Sequence, residues 1–246
     1  MERIDWHARF LQQARWTRTL RVYLFSRVGL HQGGRVLEVG CGTGAVLTDL
    51  PDYLTVHGLD LSRARLSQTR SRIPKARLTC GNALHLPYPA AAFDVTFCHY
   101  LLLWVTDPLR ALQEMKRVTC PGGSVLALAE PDYSARQDAP PVLQPLGQMQ
   151  NESLRRQGAD ISLGGRLAEL FARAGINLIE CGALAPAPSE PLDPNEQEME
   201  WAVLEADLTG FLPSDEIQKY RLLDWQARQD GTRHLYVPTF FAWGRV

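Results

Sequence analysis

The sequence predicts an α/β fold with a mostly parallel, seven-stranded sheet, helices on both faces of the sheet and helical lid insertions. The prediction rests on two features. Short apolar runs alternate with segments of helical periodicity, a pattern typical of right-handed βαβ units. The first apolar run ends in a glycine-rich turn, GCGTG at 40–44, where a strand would pass into a helix. These features together indicate a Rossmann-like domain.

The predicted strands and helices follow each other in a regular order. The strands are expected at 35–40, 54–60, 75–81, 93–100, 124–131, 176–184 and 234–246, the last as a strand pair or one long strand. The helices are expected at 7–30, 44–50, 107–119 and 164–175, with another from the N-cap Ser62 to the residue before Pro74. An amphipathic run at 146–158 and two acidic helices ending near Gln229 lie outside this rhythm.

The chain of 246 residues has room for one large α/β domain. We therefore expect a single domain over residues 1–246, in which an N-terminal helical cap (1–33) precedes the core (34–131). The core is interrupted afterwards by two insertions, at 132–163 and 185–230, which leave the sheet near its ligand-binding edge. These insertions are the expected lids, and we expect a monomer or a homodimer.

Composition and charge disfavour several classes of protein. The formal net charge of −1 gives no overall attraction to nucleic acid, so no nucleic-acid partner is expected. The five cysteines are scattered and include no C-x-x-C pair, which argues against a disulfide framework and against a metal site. The charged N-terminus has no apolar signal region, and no apolar run approaches the roughly 20 residues of a membrane span. A cytoplasmic protein without a membrane span is expected.

The glycine-rich turn is the strongest chemical signal in the sequence. Gly40, Gly42 and Gly44 permit a tight turn and the close approach of a ligand to the backbone. The same glycines also fit a dinucleotide-binding turn, so the pattern alone leaves NAD possible. Glu38 discriminates between the two ligands, because a carboxylate before the turn repels a pyrophosphate and attracts a sulfonium and an ammonium. No Lys or Arg occurs from 36 to 62. Charge therefore favours S-adenosylmethionine.

Two further segments suit the rest of such a ligand. Asp60 ends the second predicted strand, where a carboxylate can accept from both hydroxyls of a ribose. Asn82 follows the third strand and offers both an acceptor and donors to the edge of an adenine. Ala83 beside it can line the face of the base.

In this order, VLEVGCGTG, GLDLS, GNALHLPYPAAAFD and LLLWVTDPLRALQEMKRVTCPGG resemble class I S-adenosylmethionine-dependent methyltransferases, closest to the methyltransferase type 11 or ubiquinone/menaquinone group. The resemblance covers about 35–130, with a further likeness at 164–176. It implies a cofactor-binding core and S-adenosylhomocysteine as product. It implies cofactor contacts from Glu38, Gly40, Cys41, Gly42, Gly44, Asp60, Leu61, Gly81, Asn82, Ala83 and Cys98. Asn82 departs from the group, which usually has Asp there.

The acceptor is not identified by the resemblance. His99, Tyr100, Asp132 and Tyr133 follow the fourth and fifth strands and are the candidate catalytic residues. The lids and the N-terminal helix are expected to close over an enclosed, mainly apolar pocket, which would select a small molecule. A small-molecule methyltransferase using direct in-line transfer is the leading hypothesis. An NAD(P)-dependent oxidoreductase and a non-catalytic, cofactor-binding methyltransferase-like protein are the alternatives.

Overall fold

A seven-stranded sheet organises the fold in the computed structural model, which describes residues 4–184 and 193–246. Its strands are β1 (Arg35–Val39), β2 (Thr55–Asp60), β3 (Arg77–Cys80), β4 (Phe93–Cys98), β5 (Thr119–Pro131), β7 (Asn177–Ala183) and β9 (Thr239–Arg245), and a separate ribbon pairs β6 (Gln137–Ala139) with β8 (His234–Tyr236). The sheet order is β3-β2-β1-β4-β5-β9-β7. Only β9 runs antiparallel to its neighbours. The predicted mostly parallel sheet is confirmed.

Eight α-helices occur in the described part of the chain. They are α1 (Trp6–Trp16), α2 (Arg18–Arg27), α3 (Arg63–Arg72), α4 (Pro108–Val118), α5 (Gln144–Arg156), α6 (Leu167–Arg173), α7 (Pro194–Leu208) and α8 (Ser214–Gln229). The predicted N-cap Ser62 begins α3, where its hydroxyl accepts from the Arg65 amide at 3.3 Å. None of these helices is long and apolar enough to cross a membrane.

The core lies on both faces of the central strands. One face packs Leu37, Val39 and Phe93 against α4 and α6, and the other packs Val36 and Phe97 against the N-terminal helices. Central parallel strands are apolar on both sides because helices cover both faces. This burial fixes the strand ends, from which the candidate site is built.

Several predicted boundaries were wrong, for local reasons. The helix expected at 7–30 divides into α1 and α2 at Thr17, whose hydroxyl bonds back to the Ala14 carbonyl at 3.2 Å. The helix expected at 44–50 is a single 3₁₀ turn at Leu47–Asp49. The fifth strand begins at Thr119, before the glycines that were expected to separate it from α4.

The last segment of the chain also differs from the expectation. The predicted strand pair does not exist as such, because β8 pairs with β6 and β9 enters the main sheet between β5 and β7. The short strand β6 was not predicted. The predicted lid segments contain α5 in the first insertion and α7 and α8 in the second, of which residues 185–192 lie outside the described part.

Candidate functional site

A cavity of about 540 Å³ opens at the carboxyl ends of the parallel strands β1, β2 and β4. Ligands of open α/β folds bind at this edge of the sheet. The cavity extends from the glycine turn toward α1, α5 and α7. Its lining includes Trp6, Arg9, Phe10, Gln13, Glu38, Gly40, Asp60, Asn82, His99, Tyr100, Trp104, Tyr133, Gln150, Leu154, Gln157, Val203 and Asp207.

Most of the residues predicted for the site meet in this one cavity. Those lining it are Glu38, Gly40, Cys41, Gly42, Asp60, Leu61, Gly81, Asn82, Ala83, His99, Tyr100 and Tyr133. Gly44, Cys98 and Asp132 are predicted site residues that are absent from the lining. Five segments that are separated in sequence thus converge on one space, as expected of strand ends in a parallel sheet.

The glycine turn is held in shape by backbone hydrogen bonds to the end of β2. The amides of Gly40 and Cys41 both donate to the Leu59 carbonyl, at 2.7 and 2.9 Å. Gly42 has a φ of +53°, in the left-handed region that favours glycine. Gly44 serves packing, because a Cβ there would approach Thr69 Cγ2 of α3 to 2.7 Å. The turn therefore presents Gly40 and Gly42 to the cavity and turns Gly44 toward α3.

Asp60 links the turn to the end of β2. One carboxylate oxygen accepts from the Gly42 amide and the other from the Ser62 amide, each at 2.8 Å. Each oxygen has a second lone pair with which to accept from a ligand. Asp60 thus has two functions, since it fixes the glycine turn and faces the cavity.

Glu38 is a buried carboxylate at the end of β1, with 2% of its surface exposed. Its Oε2 has no hydrogen-bond partner in the described structure. Burial raises the pKa of this carboxyl well above its usual range, the Arg21 guanidinium opposes the rise, and Asp60 adds to it. A buried acceptor without a donor is costly, so the site favours a ligand that supplies one.

The loop after β3 carries Asn82 and Ala83, the residues expected to meet an adenine. Asn82 is exposed, and its side-chain oxygen accepts from the Leu84 amide at 2.9 Å. That bond occupies one lone pair of the oxygen and leaves the amide nitrogen to donate. Ala83 of this loop is buried and Leu61, directly after β2, is 70% exposed, and both line the cavity as apolar contacts.

His99 and Tyr100 follow β4 at the back of the cavity. The His99 Nε2 lies 2.9 Å from the Thr17 hydroxyl, between α1 and α2. Burial and the nearby Arg21 charge lower the pKa of His99 to about 3, so its ring is neutral near pH 7. Tyr100 has a φ of +52°, and burial raises the pKa of its hydroxyl. Neither side chain is a ready base at neutral pH, and Tyr100 is the one whose backbone is strained.

Asp132 and Tyr133 lie after β5 and differ in what they contact. Asp132 caps the turn that follows it, because its Oδ1 accepts from the Ser134 amide at 3.0 Å. Tyr133 lines the cavity, and the Asn151 amide donates to its carbonyl at 2.8 Å. The structure thus gives Asp132 a structural contact and leaves Tyr133 facing the cavity.

Cys98 is fully buried under the cavity, and its neighbour Glu130 was missed by the sequence analysis. Glu130 accepts from the backbone amides of Leu101, Leu102 and Leu103 at 2.9 to 3.2 Å. Burial raises its pKa to about 7, against the effect of these donors. Glu130 therefore holds the loop after β4, from which Leu101 and Leu103 line the cavity. A carboxylate inside an otherwise apolar strand was the available signal.

The cap and the lids supply one wall of the cavity, and the sequence analysis did not identify the residues that form it. Trp6, Arg9, Phe10 and Gln13 come from α1, Gln150 and Leu154 from α5, Gln157 from the residue after it, and Val203 and Asp207 from α7. Helix α1 is fastened to the glycine turn by His7, whose Nδ1 lies 2.8 Å from the Thr43 hydroxyl. The side chains of Arg9, Gln13, Gln150, Gln157 and Asp207 make this wall partly polar.

The expectation that apolar lid residues cover the pocket was wrong, because none of the residues expected to do so lines the cavity. Those residues are Val142, Leu143, Leu146, Met149, Trp201, Leu204, Leu208, Phe211 and Leu212. Leu143, Leu146, Trp201 and Leu208 form a small core of their own, with Met149, Leu204 and Leu212 packed against it. Val142 is 50% exposed. The reason is that α5, α7 and α8 bury their apolar faces against each other, which leaves the polar side chains of α5 and α7 for the cavity. Within the described residues no group of three metal-ligating side chains was found.

Comparison with known proteins agrees with this geometry. Residues 37–127 match the sequence model of a family described as methyltransferase domain. A demethylmenaquinone methyltransferase of Renibacterium salmoninarum is 37% identical over 111 residues, which is 45% of this chain and 47% of that protein. A malonyl-[acyl-carrier protein] O-methyltransferase of Halorhodospira halophila is 38% identical over 98 residues, 37% of this chain and 33% of that protein. The chain thus spans less than half the length of these two relatives.

The whole fold also has solved counterparts. A putative sarcosine dimethylglycine methyltransferase from Galdieria sulphuraria has a TM-score of 0.61 at 16% identity, over 94% of this chain and 85% of that one. Likeness at such low identity concerns the fold. The resemblance to class I S-adenosylmethionine-dependent methyltransferases is confirmed over residues 37–127, which match the methyltransferase-domain model and include strand β4 and most of β1 and β5 in the centre of the sheet.

Proposed function

We propose that the protein is an S-adenosylmethionine-dependent methyltransferase that acts on a small molecule. One observation supports the cofactor more than any other: the buried Glu38 carboxylate has an unpartnered oxygen at the glycine turn, in the wall of the cavity. A sulfonium brings the positive charge that this carboxylate lacks, and an ammonium brings both that charge and a hydrogen-bond donor. A pyrophosphate brings further negative charge. The NAD-dependent alternative is disfavoured on this ground.

The residues present fit the parts of the proposed cofactor. Asp60 would hold the ribose hydroxyls, Asn82 would meet the adenine edge, and Ala83 would lie against its face. Gly40 and Gly42 would let the methionine portion approach the backbone. When bound, S-adenosylmethionine supplies a methyl group that is already activated by a positively charged sulfur. The neighbouring residues then have to orient the acceptor and exclude water.

Little acid–base chemistry is expected from this chain. The neutral His99 is hydrogen-bonded to Thr17, Tyr100 has a raised pKa, and Asp132 caps a turn. We therefore propose direct in-line transfer, in which Tyr100 and Tyr133 contribute surface and hydrogen bonds to the acceptor. Positioning is the main catalytic device of such a site, and a dedicated base is not required.

A small acceptor fits the dimensions of the cavity. About 540 Å³ lies between the strand ends and the lids, in the usual range of small-molecule pockets. The named relatives differ in acceptor, since one acts on demethylmenaquinone and another on a malonyl group held by a carrier protein. Their names therefore support small-molecule transfer in general and leave the particular acceptor to the geometry of this wall.

Calorimetry with three ligands tests the proposal. We expect S-adenosylmethionine and S-adenosylhomocysteine to bind with micromolar affinity and NAD to bind at least about a hundredfold more weakly, because of the charge at Glu38. Binding of NAD at comparable affinity would contradict the proposal. A methyl-transfer assay that measures S-adenosylhomocysteine release with a panel of acceptors separates an enzyme from a cofactor-binding regulator, which would bind and not turn over.

A further inference from the structure

The lid side of the cavity contains a carboxylate, Asp207 of α7, that is held by two neutral amides. The Gln150 Nε2 donates to one oxygen and the Gln157 Nε2 to the other, each at 2.9 Å. No nitrogen of a basic side chain in residues 4–184 and 193–246 lies within 4.0 Å of the Asp207 carboxylate. Amide donors orient a carboxylate and leave its charge in place. The cavity wall therefore presents an uncompensated negative charge.

The arrangement around Asp207 is fixed by buried groups. The Gln150 side-chain oxygen accepts from the Arg136 guanidinium, so its amide nitrogen must point to Asp207. Arg136 is itself held by Asp138 at 2.6 Å, and each of these two side chains is 4% exposed. Asp138 also pairs with Arg233 at 3.0 Å, and Arg233 pairs in turn with Asp224. The position of Asp207 is thus set by an ion-pair chain behind it.

The other charged residue of this wall has different surroundings. Arg9 of α1 lies over the Trp16 ring at 4.9 Å and donates to the Gln12 side chain at 2.6 Å. It is close enough to Glu200 to lower the pKa of that carboxyl against the larger effect of burial. Arg9 is thus oriented by the Trp16 ring and the Gln12 amide, with Glu200 in its neighbourhood, and neither Arg9 nor Asp207 has an ion-pair partner within 4.0 Å among the described residues.

We propose that the methyl acceptor contains an amine, bound as the ammonium by Asp207. This inference rests on the proposed function and specifies its substrate class. A carboxylate with free lone pairs attracts an ammonium and repels an acidic acceptor. The aromatic rings of Trp6, Phe10 and Trp104 line the same cavity and suit the organic part of such a molecule, and their faces attract a cation.

Three matched probes test the proposal on the complex with S-adenosylhomocysteine. They are 2-phenylethylamine, 2-phenylethanol and phenylacetate, which share an aromatic ring and differ in the charge of the polar group. By calorimetry, we expect the amine to bind about tenfold to a hundredfold more tightly than the alcohol, the range for a hydrogen bond to a charged group. Phenylacetate should bind most weakly. Equal affinities, or tighter binding of phenylacetate, would overturn the proposal.

Variants assign the preference to Asp207. Asp207→Asn should remove the preference for the amine and leave the affinity for S-adenosylhomocysteine within about twofold. Gln157→Ala keeps the carboxylate and should keep the preference, which separates charge from packing. Asp215→Asn is the control, because Asp215 of α8 has a side chain that is 75% exposed and does not line the cavity.

Two other outcomes would contradict either the acceptor proposal or the proposed function. If Asp207→Asn weakens S-adenosylhomocysteine as strongly as the amine, Asp207 serves the cofactor and the acceptor proposal is wrong. If S-adenosylhomocysteine fails to bind the unmodified protein, the proposed function fails. The amine preference can then still be measured on the protein alone, so the two failures are distinguishable.

Discussion

The two ends of the cavity are built in different ways. At the end proposed for the cofactor, called the cofactor end below, backbone groups define the shape: the Gly40 and Cys41 amides bond to Leu59, and the Gly42 amide bonds to Asp60. At the end proposed for the acceptor, called the acceptor end, side chains of α1, α5 and α7 define it, held by hydrogen bonds such as that from Gln150 to Asp207. The first kind of construction depends on short motifs, and the second on contacts between segments far apart in the chain.

This difference separates the glycine turn, a feature common to Rossmann-like folds, from the side-chain wall, which is particular to this protein. A turn defined by backbone atoms accepts one ligand shape and tolerates few side chains near it. A wall defined by side chains changes its chemistry with each substitution, as loops and lids of α/β enzymes commonly do. Substitutions at the cofactor end should therefore weaken or abolish cofactor binding, whereas those behind the acceptor end should alter stability or selectivity.

The largest effect is expected from Gly42→Val. The backbone there has a φ of +53°, which a β-branched residue rarely adopts, and a Cβ would lie 3.3 Å from the Phe10 ring. We expect S-adenosylmethionine binding to fall below detection by calorimetry, with the far-UV circular dichroism spectrum retained. Gly158→Val is the matched control, because Gly158 also has a positive φ, of +92°, with open space around it. Equal loss of binding in both variants would contradict the role of Gly42.

The acceptor end is tested next by breaking the ion-pair chain behind it. Asp224 is 2% exposed and accepts from Arg228 at 2.7 Å and from the Trp201 indole at 2.9 Å. It also pairs with Arg233. Asp224→Ala leaves buried donors without a partner, so the free energy of unfolding in urea should fall by about 3–5 kcal/mol. The affinity for S-adenosylhomocysteine should change little under native conditions. A fall below about 1 kcal/mol would mean that the lids relax around the loss.

The sequence predicted for a physical reason that Glu38, Gly42 and Asp60 meet at one cavity. All three follow or end neighbouring parallel strands, so their convergence could be predicted from residue type and spacing, and their contacts with a cofactor stay a prediction. The same local logic predicted the capping of α3 by Ser62, which the structure confirms. It also predicted the mostly parallel sheet, because apolar runs of strand length alternate with helices.

The acceptor end could not be predicted in the same way. Asp207 and Gln150 are 57 residues apart and meet only because α5 packs against α7. Periodicity shows that an amphipathic helix packs against another element, and it does not identify that element. The packing of the apolar lid residues on one another therefore could not be predicted. Likewise, the β6–β8 ribbon depends on β6, a segment of three residues that carries little strand signal of its own.

Asp60→Ala is expected to weaken cofactor binding less than Gly42→Val does. Its effect in kcal/mol should also be smaller than the effect of Asp224→Ala on the free energy of unfolding. The carboxylate would accept from the ribose while its oxygens also hold the Gly42 and Ser62 amides. Its removal should weaken cofactor binding by about 1.5–3 kcal/mol, the range for hydrogen bonds to a charged group. Asp60→Asn retains one acceptor oxygen, so its affinity for the cofactor should lie between those of the unmodified protein and of Asp60→Ala. Unchanged calorimetric affinity in a folded Asp60→Ala protein would remove Asp60 from the site.

The smallest effect on binding is expected from Glu38→Gln, and it depends on the charge of the ligand. The amide keeps the size of the side chain and removes its charge, so binding of S-adenosylmethionine should weaken by about 1 kcal/mol. S-adenosylhomocysteine, whose sulfur is uncharged, should lose less. Equal losses for the two ligands would mean that Glu38 meets the ammonium that both share and does not sense the sulfonium.

The same variant has a second readout, in the pH dependence of the unliganded protein. Burial raises the pKa of Glu38 in the folded state above its ordinary value of 4.5, so the folded protein binds more protons than the unfolded chain above that pH. The free energy of unfolding therefore falls as pH rises through this range. Glu130, with a pKa of about 7, contributes in the same direction and remains in the variant. Thermal melting between pH 5 and 8 should show a shallower decline for Glu38→Gln than for the unmodified protein, and a higher melting temperature at pH 8. Parallel curves would show that Glu38 is solvated or paired in solution, and the charge argument for the cofactor would lose its main support.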